Sequence, residues 1–297
     1  MSKPLHVVVA TDFSALARHA AERAAQLAQA SGLALRLVHV MSAGPLRSLR
    51  QWLGEQHPVL PQLQAQAQSQ LDQWAADFHR SHGIEVRTVL ATGSVLAELL
   101  REAQAGDAAW LVLGARGEGF LRRHVLGATA ERLLRRTTRP VLVVRQRPQA
   151  AYRRVLVALD FSPWSEQALL LARQVAPQAQ CVLFHAFSVP LEGKLHFAGV
   201  SAATIDHYRQ QARTYAVQQV HALAQKIGLS RDQWTPCIVE GEPSQCLREQ
   251  EVALDCDLVV LGKHGKSATE DVLLGSVTHQ VLSEGQADVL VSTAHAP

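Results

Sequence analysis

The chain has 297 residues, of which 47% are hydrophobic and 19% charged, the composition of a globular protein of about two domains. A formal charge of +3 is too small to indicate nucleic-acid or membrane-surface binding. No apolar run approaches the roughly 20 residues of a membrane helix, and the start, Met1-Ser2-Lys3-Pro4, lacks the apolar stretch of a secretory signal. The expectation is a cytoplasmic protein with no nucleic-acid and no membrane partner.

In chain order, the first half has five short apolar runs, at residues 7–10, 35–40, 86–90, 110–113 and 141–144. Such near-continuous runs suit strands buried on both faces of a parallel sheet. Between them lie segments with apolar residues at helical spacing, the first over 14–30. The stretch 42–61 after the second run is less regular and reads as a lid or variable loop, as does 188–201 in the second half. The Arg-rich stretch Arg132, Arg135, Arg136 and Arg139 reads as a solvated helix face.

The second half repeats the first. Val7-Val8-Val9-Ala10-Thr11-Asp12-Phe13-Ser14 returns as Val155-Leu156-Val157-Ala158-Leu159-Asp160-Phe161-Ser162, an offset of 148 residues. Gly93, Gly114, Gly117 and Gly127 return at the same offset as Gly241, Gly262, Gly265 and Gly275. An offset kept at both ends and in the middle marks a duplicated domain. The expected domains are 1–147 and 151–297, split at the polar stretch 146–150. Each is an α/β unit with a doubly wound, five-stranded, mainly parallel sheet and its ligand site at the carboxyl ends of the strands. In the second copy Ser162 suits a helix N-cap and Pro163 the first helical position. The last runs of the two copies are candidates for edges that need a partner. An internal pseudo-dimer is therefore expected, with homodimerisation open.

The segment richest in chemistry is Gly262-Lys263-His264-Gly265, then nine residues, then Gly275-Ser276. It follows the apolar run 258–261 and opens a helical pattern that stops near Gly285. Glycines tolerate φ > 0 and let backbone N–H groups approach an anion. A helix N-terminus after Gly275 adds donors and partial positive charge. Ser276 offers a hydroxyl, and Lys263 and Lys266 offer charge. On spacing alone, two ordinary surface turns remain an alternative. Asp160 by itself also reads as an acid favoured by a helix N-terminus.

The pattern Gly-x2-Gly-x9-Gly-Ser, with Asp160 at the end of a first strand and the duplication, resembles the ATP-binding universal stress proteins over nearly the whole chain. The resemblance implies an adenine-nucleotide alpha-hydrolase-like fold, with ATP, accompanied or not by Mg2+, as ligand. It places Ala158 and Asp160 at the adenosine and backbone groups of Ala186 or Phe187 at the base. Gly262, His264 and Gly265 would wrap the phosphates, and Gly275, Ser276 and Val277 would complete the cradle. The first copy departs from the pattern: it keeps Asp12, Gly114, Gly117 and Gly127, but Ala128 stands for Ser276, Glu118 for Lys266 and Arg116 for His264. A weaker site is expected there, since a carboxylate near a triphosphate is repulsive.

The chain has no GxxxxGK[ST] loop, no GxSxG elbow and no HExxH metal spacing. The SGGxDS-type phosphate loop of related transferases is absent after both first strands. No catalytic residue is assigned. The resulting reading is an ATP-binding regulator of stress responses without strong catalysis. A slow ATPase and an interaction module that has lost nucleotide binding are the alternatives. The four cysteines, all in the second half without a CxxC pair, are expected to be reduced thiols, and histidines such as His185, His207 and His221 to be packed or exposed rather than ligands.

Overall fold

The computed structural model describes residues 6–54, 57–104, 108–115, 126–265 and 274–293. The chain divides into two compact units, Met1–Ala151 and Tyr152–Pro297.

The N-terminal unit runs β1 (His6–Thr11), α1 (Ala15–Ser31), β2 (Ala34–Ser42), α2 (Ala43–Leu53), α3 (Val59–His82), β3 (Val86–Gly93), α4 (Val95–Gln104), β4 (Ala108–Gly114), α5 (Ala128–Arg136) and β5 (Val141–Val144). Its strands lie in the order β3-β2-β1-β4-β5, and each pairing is parallel. The near-continuous apolar runs end in strands covered on both faces: Val7, Val8, Val9, Leu111, Val112 and Val143 are fully buried. Helix α1 packs on β1 and β4 through a stripe of small residues, Ala17, Ala20, Ala21, Ala24, Ala25 and Ala28, all buried at helical spacing. Ser14 caps it by accepting the Ala17 N–H at 3.2 Å. Gly32 ends it at φ 64°, a left-handed conformation that glycine adopts without strain.

The C-terminal unit repeats the plan: β6 (Arg154–Ala158), α6 (Pro163–Val175), β7 (Gln180–Phe187), α7 (Glu192–Phe197), α8 (Ala202–Lys226), β8 (Trp234–Glu240), α9 (Pro243–Ala253), β9 (Leu258–Gly262), α10 (Ser276–Glu284) and β10 (Asp288–Ser292). The order is β8-β7-β6-β9-β10, again with parallel pairings. In each unit the winding reverses between the first and fourth strands, β1 with β4 and β6 with β9. Ligands of open α/β sheets bind at that reversal, outside the carboxyl ends of the strands.

Two local expectations are corrected. The stretches expected as irregular loops carry helices: α2 fills most of 42–61, and α7 lies within 188–201. Helix α2 carries Leu46, Leu49, Trp52 and Leu53 at helical spacing, but only Leu46 is buried and Trp52 is 79% exposed, so it is a surface helix with little share in the core. Ser162 takes the N-cap position of α6 and Pro163 follows it, but the Ser162 side chain makes no cap bond. Its hydroxyl donates instead to Asp160 Oδ1 at 2.5 Å.

Candidate nucleotide site

Strand β6 ends in Ala158, and the chain then turns through Leu159, Asp160, Phe161 and Ser162 into α6. Phe161 sits at φ 59°, in a left-handed conformation rare for an aromatic residue. The turn is held by Asp160, whose Oδ1 accepts the Ser162 N–H at 3.0 Å, and by the Phe161 ring, which stacks on His185 of β7 at 4.3 Å. His185 Nδ1 contacts the Leu159 carbonyl at 2.7 Å. The N-terminal unit builds the same turn: Phe13 has φ 65°, its ring is 4.4 Å from that of His39, and His39 Nδ1 is 2.8 Å from the Thr11 carbonyl. His185 is thus a packed structural residue of the turn and also lines the cavity above it.

That cavity has a volume of about 490 Å³. Nine of the ten residues singled out in the second half line it: Ala158, Asp160, Ala186, Gly262, His264, Gly265, Gly275, Ser276 and Val277. Phe187 does not. Its carbonyl accepts the Gly241 N–H at 3.0 Å, so the end of β7 is tied to the β8–α9 turn. Phe184, Pro243, Leu247 and Leu261 give the cavity an apolar wall.

The glycines serve close approach. Gly262, Gly265 and Gly275 all lie outside the left-handed region, Gly275 at φ −58°. A Cβ on Gly262 would fall 2.8 Å from Trp164 Cβ, and one on Gly265 would fall 2.9 Å from Asp160 Oδ2. The expected need for φ > 0 is therefore replaced by a need for space. The Gly275 N–H donates to the Lys263 carbonyl at 3.0 Å, which brings the end of β9 to the start of α10. The first intrahelical bond is His279 N–H to Gly275 O, at 2.9 Å. The N–H groups of Ser276, Val277 and Thr278 precede it and lack intrahelical partners, the arrangement that favours an anion.

Three residues not singled out from sequence complete the site. The Thr278 hydroxyl donates to the Gly262 carbonyl at 2.8 Å and pins α10 to β9. Trp164 packs against Gly262 and holds His264, with ring centroids 5.0 Å apart. Ser165 bonds both the backbone and the carboxylate of Asp160. The signal for two of them was the repeat itself: at the same offset the first copy has Ala17 for Ser165 and Ala130 for Thr278.

The N-terminal unit holds a smaller cavity, about 330 Å³, at the equivalent place. Asp12, Gly114 and Gly127 line it, together with Ala17, Ala128 and Ala130. Gly117 lies outside the described residues, as do Arg116, Glu118 and Lys266. The backbone frame is retained: the Gly127 N–H donates to Ala115 O at 3.0 Å, and a Cβ on Gly114 would press on the Leu16 carbonyl at 3.1 Å. What differs is the lining, since three hydroxyls of the second copy are alanine methyls in the first.

Sequence comparison matches the universal stress protein family model twice, over residues 5–145 and 151–292. The chain belongs to the universal stress protein family. Universal stress proteins of Mycobacterium bovis and Mycobacterium tuberculosis are each 28% identical to it over 310 residues, covering 97% of this chain and 95% of theirs. The tandem arrangement is therefore shared along the whole length. Among solved structures, a universal stress protein of Archaeoglobus fulgidus superposes with a TM-score of 0.69 at 17% identity, covering 96% of this chain and 97% of its own. A functionally unknown protein of Pseudomonas aeruginosa gives 0.63 at 19% identity, covering 97% and 92%. The fold is α/β, with one domain for each match to the family model. No described helix is long and apolar enough to cross a membrane. Among the described residues, no group of three or more His, Cys, Asp or Glu is placed to hold a metal ion.

Proposed function

We propose that this universal stress protein binds ATP in its C-terminal unit and acts as a nucleotide-responsive regulator of stress adaptation without strong catalysis. The observation that carries the reading is the composition of one cavity. An apolar wall suited to a base, a carboxylate just past the end of β6, a close-packed glycine turn and a helix N-terminus meet at the reversal between β6 and β9. Asp160 would meet the adenosine, and Ala186 would lie beside the base. Gly262, His264, Gly265, Gly275, Ser276 and Val277 would surround the phosphates. Mg2+, when it accompanies the nucleotide, would be carried by the phosphates.

The N-terminal cavity is proposed as a weaker site, because Ala128 offers no hydroxyl where Ser276 stands. Homodimerisation belongs to the same proposal and is read by light scattering on the purified protein. The nucleotide reading is tested by mass spectrometry of the ligand carried by natively purified protein and by titration calorimetry with ATP. Binding that Gly275→Val abolishes supports it. A protein that carries no nucleotide and gives no heat with ATP refutes it.

A further inference from the structure

Asp160 is gripped by a side chain that has no equivalent beside its counterpart Asp12: Ser165, where the first copy has Ala17. Asp160 Oδ1 accepts three donors: the Ser162 N–H at 3.0 Å, the Ser162 hydroxyl at 2.5 Å and the Ser165 hydroxyl at 2.6 Å. The Ser165 oxygen also accepts the Asp160 N–H at 2.8 Å. Ser165 therefore grips Asp160 at both its backbone and its carboxylate. It is 3% exposed, on the first turn of α6, so packing fixes its own rotamer. With Oδ1 committed to this set of donors, the carboxylate cannot rotate freely. Its other oxygen, Oδ2, is turned toward Gly265, 2.9 Å from where a Cβ on that residue would be.

The strand order gives this orientation a meaning. Strand β6 lies between β7 and β9. Of the β7 residues that line the cavity, Phe184 and Ala186 belong to its apolar wall and His185 packs on the turn below, and β9 leads into the glycine turn. Asp160, just past the end of β6, stands between the two. A nucleotide spanning the cavity from base to phosphates has its sugar at that point. A carboxylate oxygen accepts hydrogen bonds and cannot donate. Phosphate oxygens would be repelled by it, whereas ribose hydroxyls are donors.

We propose that Ser165 is a positioning residue that fixes Asp160 as an acceptor for the ribose hydroxyls, making the C-terminal site selective for ribonucleotides. The inference rests on the nucleotide reading above and adds the part of the ligand that is discriminated. In the N-terminal unit Asp12 Oδ1 accepts the Ser14 N–H at 3.0 Å, but Ala17 stands for Ser165 and the Ser14 hydroxyl accepts the Ala17 N–H. Ala17 has no hydroxyl, so the N-terminal unit cannot build this clamp, and sugar selection through it belongs to the C-terminal unit.

The test is titration calorimetry of the full chain with ATP and with 2′,3′-dideoxy-ATP, on the natural protein and on Ser165→Ala. The natural protein should bind ATP about tenfold or more tightly than the dideoxy analogue, the range for a lost hydrogen bond to a charged group. Ser165→Ala should lose most of that ratio by weakening ATP, with the dideoxy affinity unchanged. Asp160→Asn should lose the ratio too. If Ser165→Ala weakens both ligands equally, or leaves the ratio intact, the positioning role is wrong while the nucleotide site stands. If the natural protein binds both analogues equally, the ribose role is wrong. If neither binds, the nucleotide reading and this inference fail together. Ser165→Thr, which keeps the hydroxyl, should retain the ratio, and its loss there despite a normal melting profile would also count against the clamp.

Discussion

Gly262 lies under Trp164 so closely that a methyl group on residue 262 would fall 2.8 Å from Trp164 Cβ and 3.0 Å from the His264 carbonyl. Two of those neighbours are parts of fixed elements, a helix side chain at its root and a backbone oxygen, and neither yields cheaply. Gly262→Ala should cost about 1–3 kcal/mol, the range for overpacking, and lower the melting temperature of the C-terminal unit by several degrees. At Gly275 the nearest atom to a built Cβ is the Lys263 carbonyl at 3.4 Å, an ordinary contact, and φ is −58°. Gly275→Ala should stay within about 1 kcal/mol of the natural protein, the scale of an N-cap exchange. Differential scanning calorimetry of the two variants decides it. Equal melting temperatures would refute the space argument.

The two cavities share a frame and differ in lining, which predicts unequal affinities. Ser276 begins α10, and its counterpart Ala128 begins α5. A hydrogen bond to a charged group contributes roughly 1.5–3 kcal/mol, so Ser276→Ala should weaken ATP binding about tenfold or more. Gly127→Val, in the N-terminal frame, should leave most of the binding intact. Calorimetric titration should give one tight site per chain. Loss of that site in Gly127→Val but not in Ser276→Ala would assign it to the wrong unit.

Phe161 combines a strained backbone with a productive ring. Its φ of 59° costs a residue with a Cβ about 1–2 kcal/mol, and its ring stacks on His185 at 4.3 Å. Phe161→Ala keeps the strain and loses the stacking. Phe161→Gly loses both, although glycine is more flexible in the unfolded chain. The expected order of stability is Phe161, then Gly, then Ala, with Gly and Ala about 1 kcal/mol apart. Urea unfolding of the two variants reads the order directly, and Ala at least as stable as Gly would contradict it.

Much of this site was legible because the chain carries its own comparison. The repeat fixes Asp12 against Asp160 and Gly127 against Gly275, and short apolar runs translate into strands when both faces are covered. The loop-like reading of 42–61 passed over a short helical spacing, Leu46, Leu49 and Leu53, in a helix that buries only Leu46. Phe187 lies outside the cavity lining: sequence locates the end of β7 but not the hydrogen bond from the Gly241 N–H to the Phe187 carbonyl. The repeat sets Ser165 against Ala17, but a serine on the first turn of a helix acquires a role only when its hydroxyl is seen to meet the Asp160 carboxylate.

The cysteines yield a prediction with a sign. All four are free thiols, and burial pushes the Cys256 thiol up to about 12, with nearby carboxylates adding to the effect and Arg154 opposing it. Burial likewise raises Cys181, Cys237 and Cys246. The thiolate is the reactive species, so these residues should alkylate slowly in the folded protein at pH 8 and promptly in urea. Cys237, half-buried, should label first. An unfolded cysteine loses its proton near pH 8.5. The folded state holds the Cys256 proton more tightly, so its contribution to stability is full below about pH 8.5 and is lost as pH rises from there toward 12. Melting temperature should therefore fall with increasing pH above about 8.5, and Cys256→Ala should flatten that decline relative to the natural protein. Rapid labelling of Cys256 by iodoacetamide in the folded chain, or an alkaline decline unchanged in Cys256→Ala, would show that burial does not hold this proton.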